Sequence, residues 1–456
     1  MASDDFIYGC LLIFSVFFGV IIKYSKDEGV KRIVTTVVGV VMVTIICRFH
    51  ALHSLIAILV NCLLVKSISP RHIHKVSFIW AFGYLAFFRT VHHLGIPAPP
   101  PLSNAVQLFI TLRLVGLAFE IHDSSKVTED TQDCKLLKKY NNVHQCNIWE
   151  TFSYSYCYIG LLTGPYYRYS VYSYLLKQQN SDKIPTFQPL WEKIKPLPVI
   201  MGTFFFLSHY LSVEYAKTDE FYERSFLYRL LFMVPMFMIF RTRLYIAWIL
   251  SECMCMTSTL GAFPVEAKAR CGQGPTDLTG LAESEKKEQE SLEYDYETVH
   301  NLDIYGCELA PKTKDGLKAW NMTVQYWLAA YVHKRVTIKS LKVTLTMAVS
   351  AFWHGIHPGY YLSFLTVPPI LMAEQAMINA FRKDASPEKQ ARFDWACWFC
   401  KMRGFDYMCM GFLLLGARET IRYWSSIYYI VHVVTLLFFI IGSLVALKKH
   451  NTTKKD

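Results

Sequence analysis

The stretch FIYGCLLIFSVFFGVII, residues 6–22, carries no charge over 17 positions, and WSSIYYIVHVVTLLFFIIGSLVAL, residues 424–447, carries no Asp, Glu, Lys or Arg over 24. A helix needs ~20 mostly apolar residues to cross a ~30 Å hydrocarbon layer, so both read as spans. Between them, apolar runs recur at about 33–47, 51–65, 76–88, 104–119, 198–213, 226–240, 244–263, 342–356, 359–380 and 407–416. The shorter runs read as tilted, broken or re-entrant, which is tolerated at membrane depth only where protein or a watery cavity surrounds the backbone. The expected fold is an all-α polytopic membrane protein, a single membrane-embedded domain over residues 1–456. About eleven membrane-spanning helices, with broken or re-entrant segments, should surround a buried chamber. Polar loops are expected at about 120–150 and 264–319, and residues 272–290 read as solvated and partly disordered.

Composition agrees with this reading. Of 456 residues, 53% are hydrophobic and 18% charged, against about 25% charged in a soluble domain. The formal charge of +11 comes from Lys and Arg in short loops, which read as topology signals and not as a nucleic-acid surface. Thirteen cysteines, an odd number and mostly inside apolar runs, imply no disulfide framework. Cys397 and Cys400 enclose Trp398 and Phe399 in a segment without strand pattern, a poor setting for redox or zinc chemistry.

Basic residues alternate between dense and sparse loops up to about residue 139, which places the N-terminus outside the cytosol. Lys448, Lys449, Lys454 and Lys455 place the C-terminus inside it, so the number of crossings should be odd. Asp4 and Asp5 occupy the place of a basic signal-peptide region, so the first run should remain as an anchor.

An ionisable side chain at membrane depth costs at least ~2.5 kcal/mol when charged and marks a functional position by default. His354 fits that description, between Trp353 and Gly355 at the end of an apolar run. Pro358 and Gly359 should stop the helix, placing His354 and His357 together in its last turn, where the dipole favours a charged imidazole. No Glu lies between the two histidines as a zinc-protease motif requires, and neither a Gly-x-Ser-x-Gly elbow nor a phosphate loop is present. No metal is expected. Asn321 opens an amphipathic stretch; although Asn321-Met322-Thr323 is formally a glycosylation sequon, the aromatic setting argues for burial. Such an Asn either acts with a buried His on a hydrophobic substrate or makes a helix–helix hydrogen bond worth ~0.6 kcal/mol.

With Asn321 and His354 on hydrophobic segments, the chain resembles the membrane-bound O-acyltransferase family. It is most similar to the lysophosphatidylinositol acyltransferase branch, in blocks at 104–108, 153–168, 293–298, 320–325, 353–361 and 407–412. The resemblance implies a catalytic chamber in which His354 is the catalytic histidine and Asn321 its partner. The implied reaction moves a fatty acyl group, polyunsaturated in that branch, from acyl-CoA to the sn-2 hydroxyl of lysophosphatidylinositol in the endoplasmic reticulum membrane. Acyl-CoA is then a co-substrate, and no cofactor is expected. Gln325, Trp353 and His357 are candidate lining residues. Lys334 and Arg335 are candidates for the donor's phosphates, or simply an ordinary basic loop. Another lysophospholipid, a sterol or a protein remain alternative acceptors. A lipid transporter is a further alternative, although the inverted repeat usual in transporters is not visible.

Overall fold

The computed structural model describes residues 2–453 except 129–130, 132–133, 142, 144–145 and 289–290. Lys454 and Lys455, counted above for orientation, and the side chain of Asp4 lie outside the described residues. The described chain is almost entirely helical, with one two-stranded pairing of Phe263–Pro264 against Tyr294–Asp295. It divides into two units. The first comprises Met1–Leu197, Ile246–Leu302 and Asn321–Tyr331, and the second Pro198–Tyr245, Asp303–Trp320 and Val332–Asp456.

In the first unit the helices Ala2–Tyr24, Glu28–Cys47, Ala51–Ser67, Ile73–Thr90 and Pro101–Ser124 follow one another through short turns. Asp27 starts the second of these by accepting the Val30 N–H at 2.7 Å. Pro101 starts the last, where its missing N–H costs nothing. At Gly39 the chains meet backbone to backbone, because a Cβ there would lie 1.7 Å from Tyr156 O. The fully buried Arg113 donates to the carbonyls of Tyr154, Ser155 and Cys157 at 3.1, 3.2 and 2.7 Å, to Ile159 O, and to the Tyr167 hydroxyl at 2.9 Å. One guanidinium thus satisfies the carbonyls of the irregular Tyr-rich segment, which is the condition for non-helical backbone at membrane depth.

In the second unit the helices Lys342–His354, Pro358–Met377, Pro387–Leu414, Ala417–Ser426 and Ile430–Thr453 pack around Pro358–Met377. Gly359 permits a close backbone approach. Its N–H donates to Leu415 O at 2.7 Å, and a Cβ there would fall 2.2 Å from Gly411 O.

Six helical segments are long and apolar enough to cross a membrane among the described residues, including Glu28–Ser67, which holds two helices. The expected count of eleven is not reached by this measure. Leu197–Tyr210 has 14 residues, about 21 Å of helix and too short to span alone. Several sequence expectations are corrected. The runs 226–240 and 244–263 are not separate spans, because one 32-residue helix, Phe226–Thr257, passes through Arg241 and Arg243. Arg241 pairs with Glu308 at 2.9 Å, which removes the reason to place it in a loop. The run 424–447 breaks where Tyr428 and Tyr429 adopt positive φ of 56° and 49°. The polar loop expected from residue 120 starts later, because Glu120 is still helical and buried. Its carboxylate pairs with Arg168 at 3.2 Å and accepts the Tyr169 and Ser170 N–H groups at 2.7 and 3.2 Å. Residues 272–288 are folded, not a solvated coil. Gly272 and Gly274 take φ of 69° and 88°, and Asp277 caps the helix Leu278–Ser284 by accepting the Gly280 N–H at 2.9 Å. That N–H first, then Lys268, holds the Asp277 carboxyl below its usual range.

Candidate active-site residues

The predicted residues fall in both units. Asn321 and Gln325 belong to the first; Lys334, Arg335, Trp353, His354 and His357 belong to the second.

Asn321 precedes the helix Met322–Leu328 in left-handed backbone conformation, φ 48° and ψ 51°, a region that Asn tolerates better than most side chains. It makes no side-chain cap bond. Its carbonyl accepts the Val324 and Gln325 N–H groups, both at 3.0 Å, while the buried Oδ1 has no hydrogen-bond partner among the described residues. A buried orphan acceptor costs about 1–3 kcal/mol, and a substrate group is one means of satisfying it.

The segment carrying Asn321 is held from below by a chain of polar contacts. Asn301 accepts the Met322 N–H on its carbonyl at 2.8 Å, and both Thr323 N–H and Thr323 Oγ1 on its side-chain oxygen at 3.2 and 2.6 Å. The Thr323 hydroxyl in turn accepts the Tyr166 N–H at 3.0 Å. Glu252, fully buried, receives the Asn301 and Leu302 N–H groups on Oε1 at 3.1 and 3.0 Å and pairs with Lys193 through Oε2 at 2.6 Å. Glu252 and Asn301 were not singled out from the sequence. Glu252 was visible as an acidic residue inside the apolar run 244–263, but its partners lie 49 and 50 positions away. Glu252→Gln keeps the acceptor oxygen but loses the charge, so it should cost about 1–2 kcal/mol. Thermal unfolding in detergent checks this, the expected result being a lowered midpoint that Lys193→Met does not lower further in the double variant.

His354 is the last residue of the helix Lys342–His354, and His357 is not in that turn. This corrects the expected shared turn. The helix stops three residues earlier because Gly355 is extended (φ 174°), and His357 becomes the residue before the next helix, with Pro358 at its first position. The half-buried His354 ring lies among four aromatic rings: Trp353 at 4.7 Å between centroids, Phe364 stacked at 5.1 Å, Phe412 edge-on at 5.1 Å and Tyr360 at 6.1 Å. Phe364 and Phe412 were not identified from the sequence as neighbours of the histidine. His357 is exposed and its ring meets Tyr360 at 6.1 Å. These rings restrict the orientation of the imidazole.

Each unit also holds a cavity, and neither is lined by Asn321, Gln325, Trp353, His354 or His357. In the first unit a polar cavity of ≈ 780 Å³ is lined by Lys139, Lys177, Lys183, Lys287, Tyr140 and Tyr174, among others. In the second an apolar cavity of ≈ 470 Å³ has Lys401 and Arg403 in its wall; His354 does not line it. Lys334 and Arg335 lie on an exposed turn after Ala329–His333 and line neither cavity. All thirteen cysteines are free.

A model of the membrane-bound O-acyltransferase (MBOAT) family matches residues 99–414, a range that includes both Asn321 and His354. Three curated proteins are similar over nearly the whole chain, and each bears the name membrane-bound acylglycerophosphatidylinositol O-acyltransferase. The Xenopus laevis protein mboat7 is 46% identical over 98% of this chain and 95% of its own length. The human protein MBOAT7 is 42% identical over 96% and 93%. The Caenorhabditis elegans protein mboa-7 is 33% identical over 98% and 97%.

Proposed function

Since the chain belongs to the membrane-bound O-acyltransferase family, we propose that it reacylates lysophosphatidylinositol, moving a polyunsaturated acyl group from acyl-CoA to the free sn-2 hydroxyl. The acceptor rests on one observation. Relatives from frog to worm, each aligned along almost its whole length, carry the acylglycerophosphatidylinositol name. A lipid hydroxyl barely ionises at neutral pH and needs a base to attack a thioester. On this reading His354, of reference pKa ~6.5, takes the hydroxyl proton as the oxygen adds to the thioester carbonyl. The tetrahedral intermediate then expels the CoA thiolate, which receives the proton back from the imidazolium. Asn321 orients the hydroxyl or donates to the oxyanion. Gln325, Trp353 and His357 belong to the same proposal as lining residues.

The donor carries several phosphates, which basic side chains recognise, and an adenine ring, which aromatic faces can stack on. Lys334 and Arg335 remain in the proposal. The cavity of Lys177 and Lys183 adds a second surface with lysines, although Glu285 and Glu288 share its wall and Lys139 pairs with Glu285 at 2.6 Å. Lys177→Ala combined with Lys183→Ala should raise KM for acyl-CoA several-fold and leave KM for the lysophospholipid unchanged, as initial-rate measurements will show.

The membrane reading completes the proposal: an odd number of crossings, about eleven, in the endoplasmic reticulum membrane, with the N-terminus lumenal and the C-terminus cytosolic. Thiol labelling from each side should place a cysteine added before the first residue and one appended after the last on opposite faces. Finding both on one face contradicts the odd count. The functional test is an acceptor panel, in which purified protein with acyl-CoA is given lysophosphatidylinositol and other lysophospholipids in competition. Phosphatidylinositol should be the dominant product. Equal acylation of all acceptors, or preference for another head group, overturns the assignment.

A further inference from the structure

Cys271, Glu297 and His300 place one sulfur, one carboxylate and one imidazole nitrogen within 4.8 Å of one another, at intermediate to exposed positions in the first unit. Nothing in the acyl-transfer proposal uses them. His300 Nδ1 lies 3.3 and 3.4 Å from the two Glu297 carboxylate oxygens, and Cys271 Sγ lies 3.9 Å from Glu297 Oε2. The other imidazole nitrogen, Nε2, lies 3.1 Å from Leu302 O. A histidine that donates from Nε2 to this carbonyl turns its Nδ1 lone pair toward the carboxylate and thiol. A cation between them satisfies all three groups, and the Nε2–H to carbonyl bond is the outer contact that metal-bound histidines usually make.

The two segments are already fastened together. The Gly272 N–H donates to Thr298 O at 2.8 Å, and Arg270 and Gly274 close the turn that presents Cys271. We propose that Cys271, Glu297 and His300 form a binding site for a zinc-type divalent metal ion, with a fourth position left to water. Hard ions such as magnesium and calcium prefer oxygen ligands, whereas a mixed S, N, O set suits zinc. Tetrahedral zinc, with bonds of about 2.0–2.3 Å, holds its ligand atoms roughly 3.3–3.7 Å apart. The imidazole–carboxylate separations of 3.3 and 3.4 Å and the thiol–carboxylate separation of 3.9 Å approach this, and the thiol and imidazole lie within 4.8 Å, so small side-chain rotations close the set. Binding displaces the Cys271 thiol proton and any proton on His300 Nδ1, both of which pass to solvent.

The ion would grip the cradle of Asn321 from two sides. Gly272, next to Cys271, is seated on the following helix, since a Cβ there would lie 2.8 Å from the Tyr326 ring and 3.1 Å from Thr323 O. Asn301, next to His300, holds Met322 and Thr323.

The test uses the full chain, purified in detergent and stripped with a chelator, then titrated with Co²⁺ as a spectroscopic probe. The expected result is one equivalent bound with a thiolate-to-cobalt charge-transfer band that Zn²⁺ bleaches. Cys271→Ser should abolish the band, and His300→Ala should weaken binding at least about tenfold, since loss of an outer-shell partner alone reaches that. Cys400→Ser, which alters an exposed cysteine elsewhere, should change neither. No band in the parent, a band that survives Cys271→Ser or is lost in Cys400→Ser, or unchanged affinity in His300→Ala overturns the site. Elution as a single species confirms that each variant is folded, and none of these readouts depends on the acyltransferase assignment.

Discussion

Alanine in place of His354 lowers turnover by about 10²-fold or more, the share that a positioned general base contributes, with expression retained. The truncated ring is held by Phe364, Phe412, Trp353 and Tyr360 and makes up only the end of its helix, so the scaffold survives its loss. His357→Ala has a smaller effect, because that residue is exposed and lies three positions beyond the helix end. Thioester consumption at matched protein concentration reads both. Near-parent activity in His354→Ala together with inactivity in His357→Ala assigns the base to the other histidine.

Asn321→Ala loses about 3–4 kcal/mol of transition-state stabilisation if the amide donates to the oxyanion, a fall in kcat of comparable size to that of His354→Ala. The substitution removes an orphan buried acceptor, a relief of about 1–3 kcal/mol, but puts Ala in left-handed backbone at φ 48°, a cost of about 1–2 kcal/mol, so the two nearly cancel and thermal unfolding should show a midpoint close to the parent's. A variant that loses activity at near-parent stability identifies a functional residue, whereas one that loses both points to a structural role. The double variant with His354→Ala should be scarcely worse than either single one, because residues that act as a unit in catalysis are strongly non-additive. Additive losses in the double variant contradict joint action.

What could be read from the sequence depended on how far each residue's partners lie along the chain. Asn321 and His354 stood out as polar groups bordering apolar runs, and the helical membrane character followed from the runs themselves. Single residues decided the cases that misled. Arg241 looked like the end of a span, but its charge is matched by Glu308, 67 positions later, so the helix continues. Glu120 looked like the start of a cytosolic loop, but Arg168 and two backbone N–H groups hold it in a buried helix. Residues 272–290 were read as solvated, but Gly272 and Gly274 at positive φ make a turn, and Gly272 docks onto Thr323 and Tyr326. His357 was grouped with His354 because Pro358 was expected to end the first helix, whereas it begins the second. In each case local propensity was overridden by a contact dozens of residues away, or a breaker residue served the next element and not the preceding one.

Free thiol and phosphatidylinositol, followed in the same reaction with purified protein, a polyunsaturated acyl-CoA and lysophosphatidylinositol, report acyl transfer most directly. Acyl transfer with His354 as base should release one thiol for each phosphatidylinositol formed, place the new acyl group at sn-2, and lose both signals in His354→Ala. Thiol release without lipid product, or product formation that His354→Ala leaves intact, would contradict it.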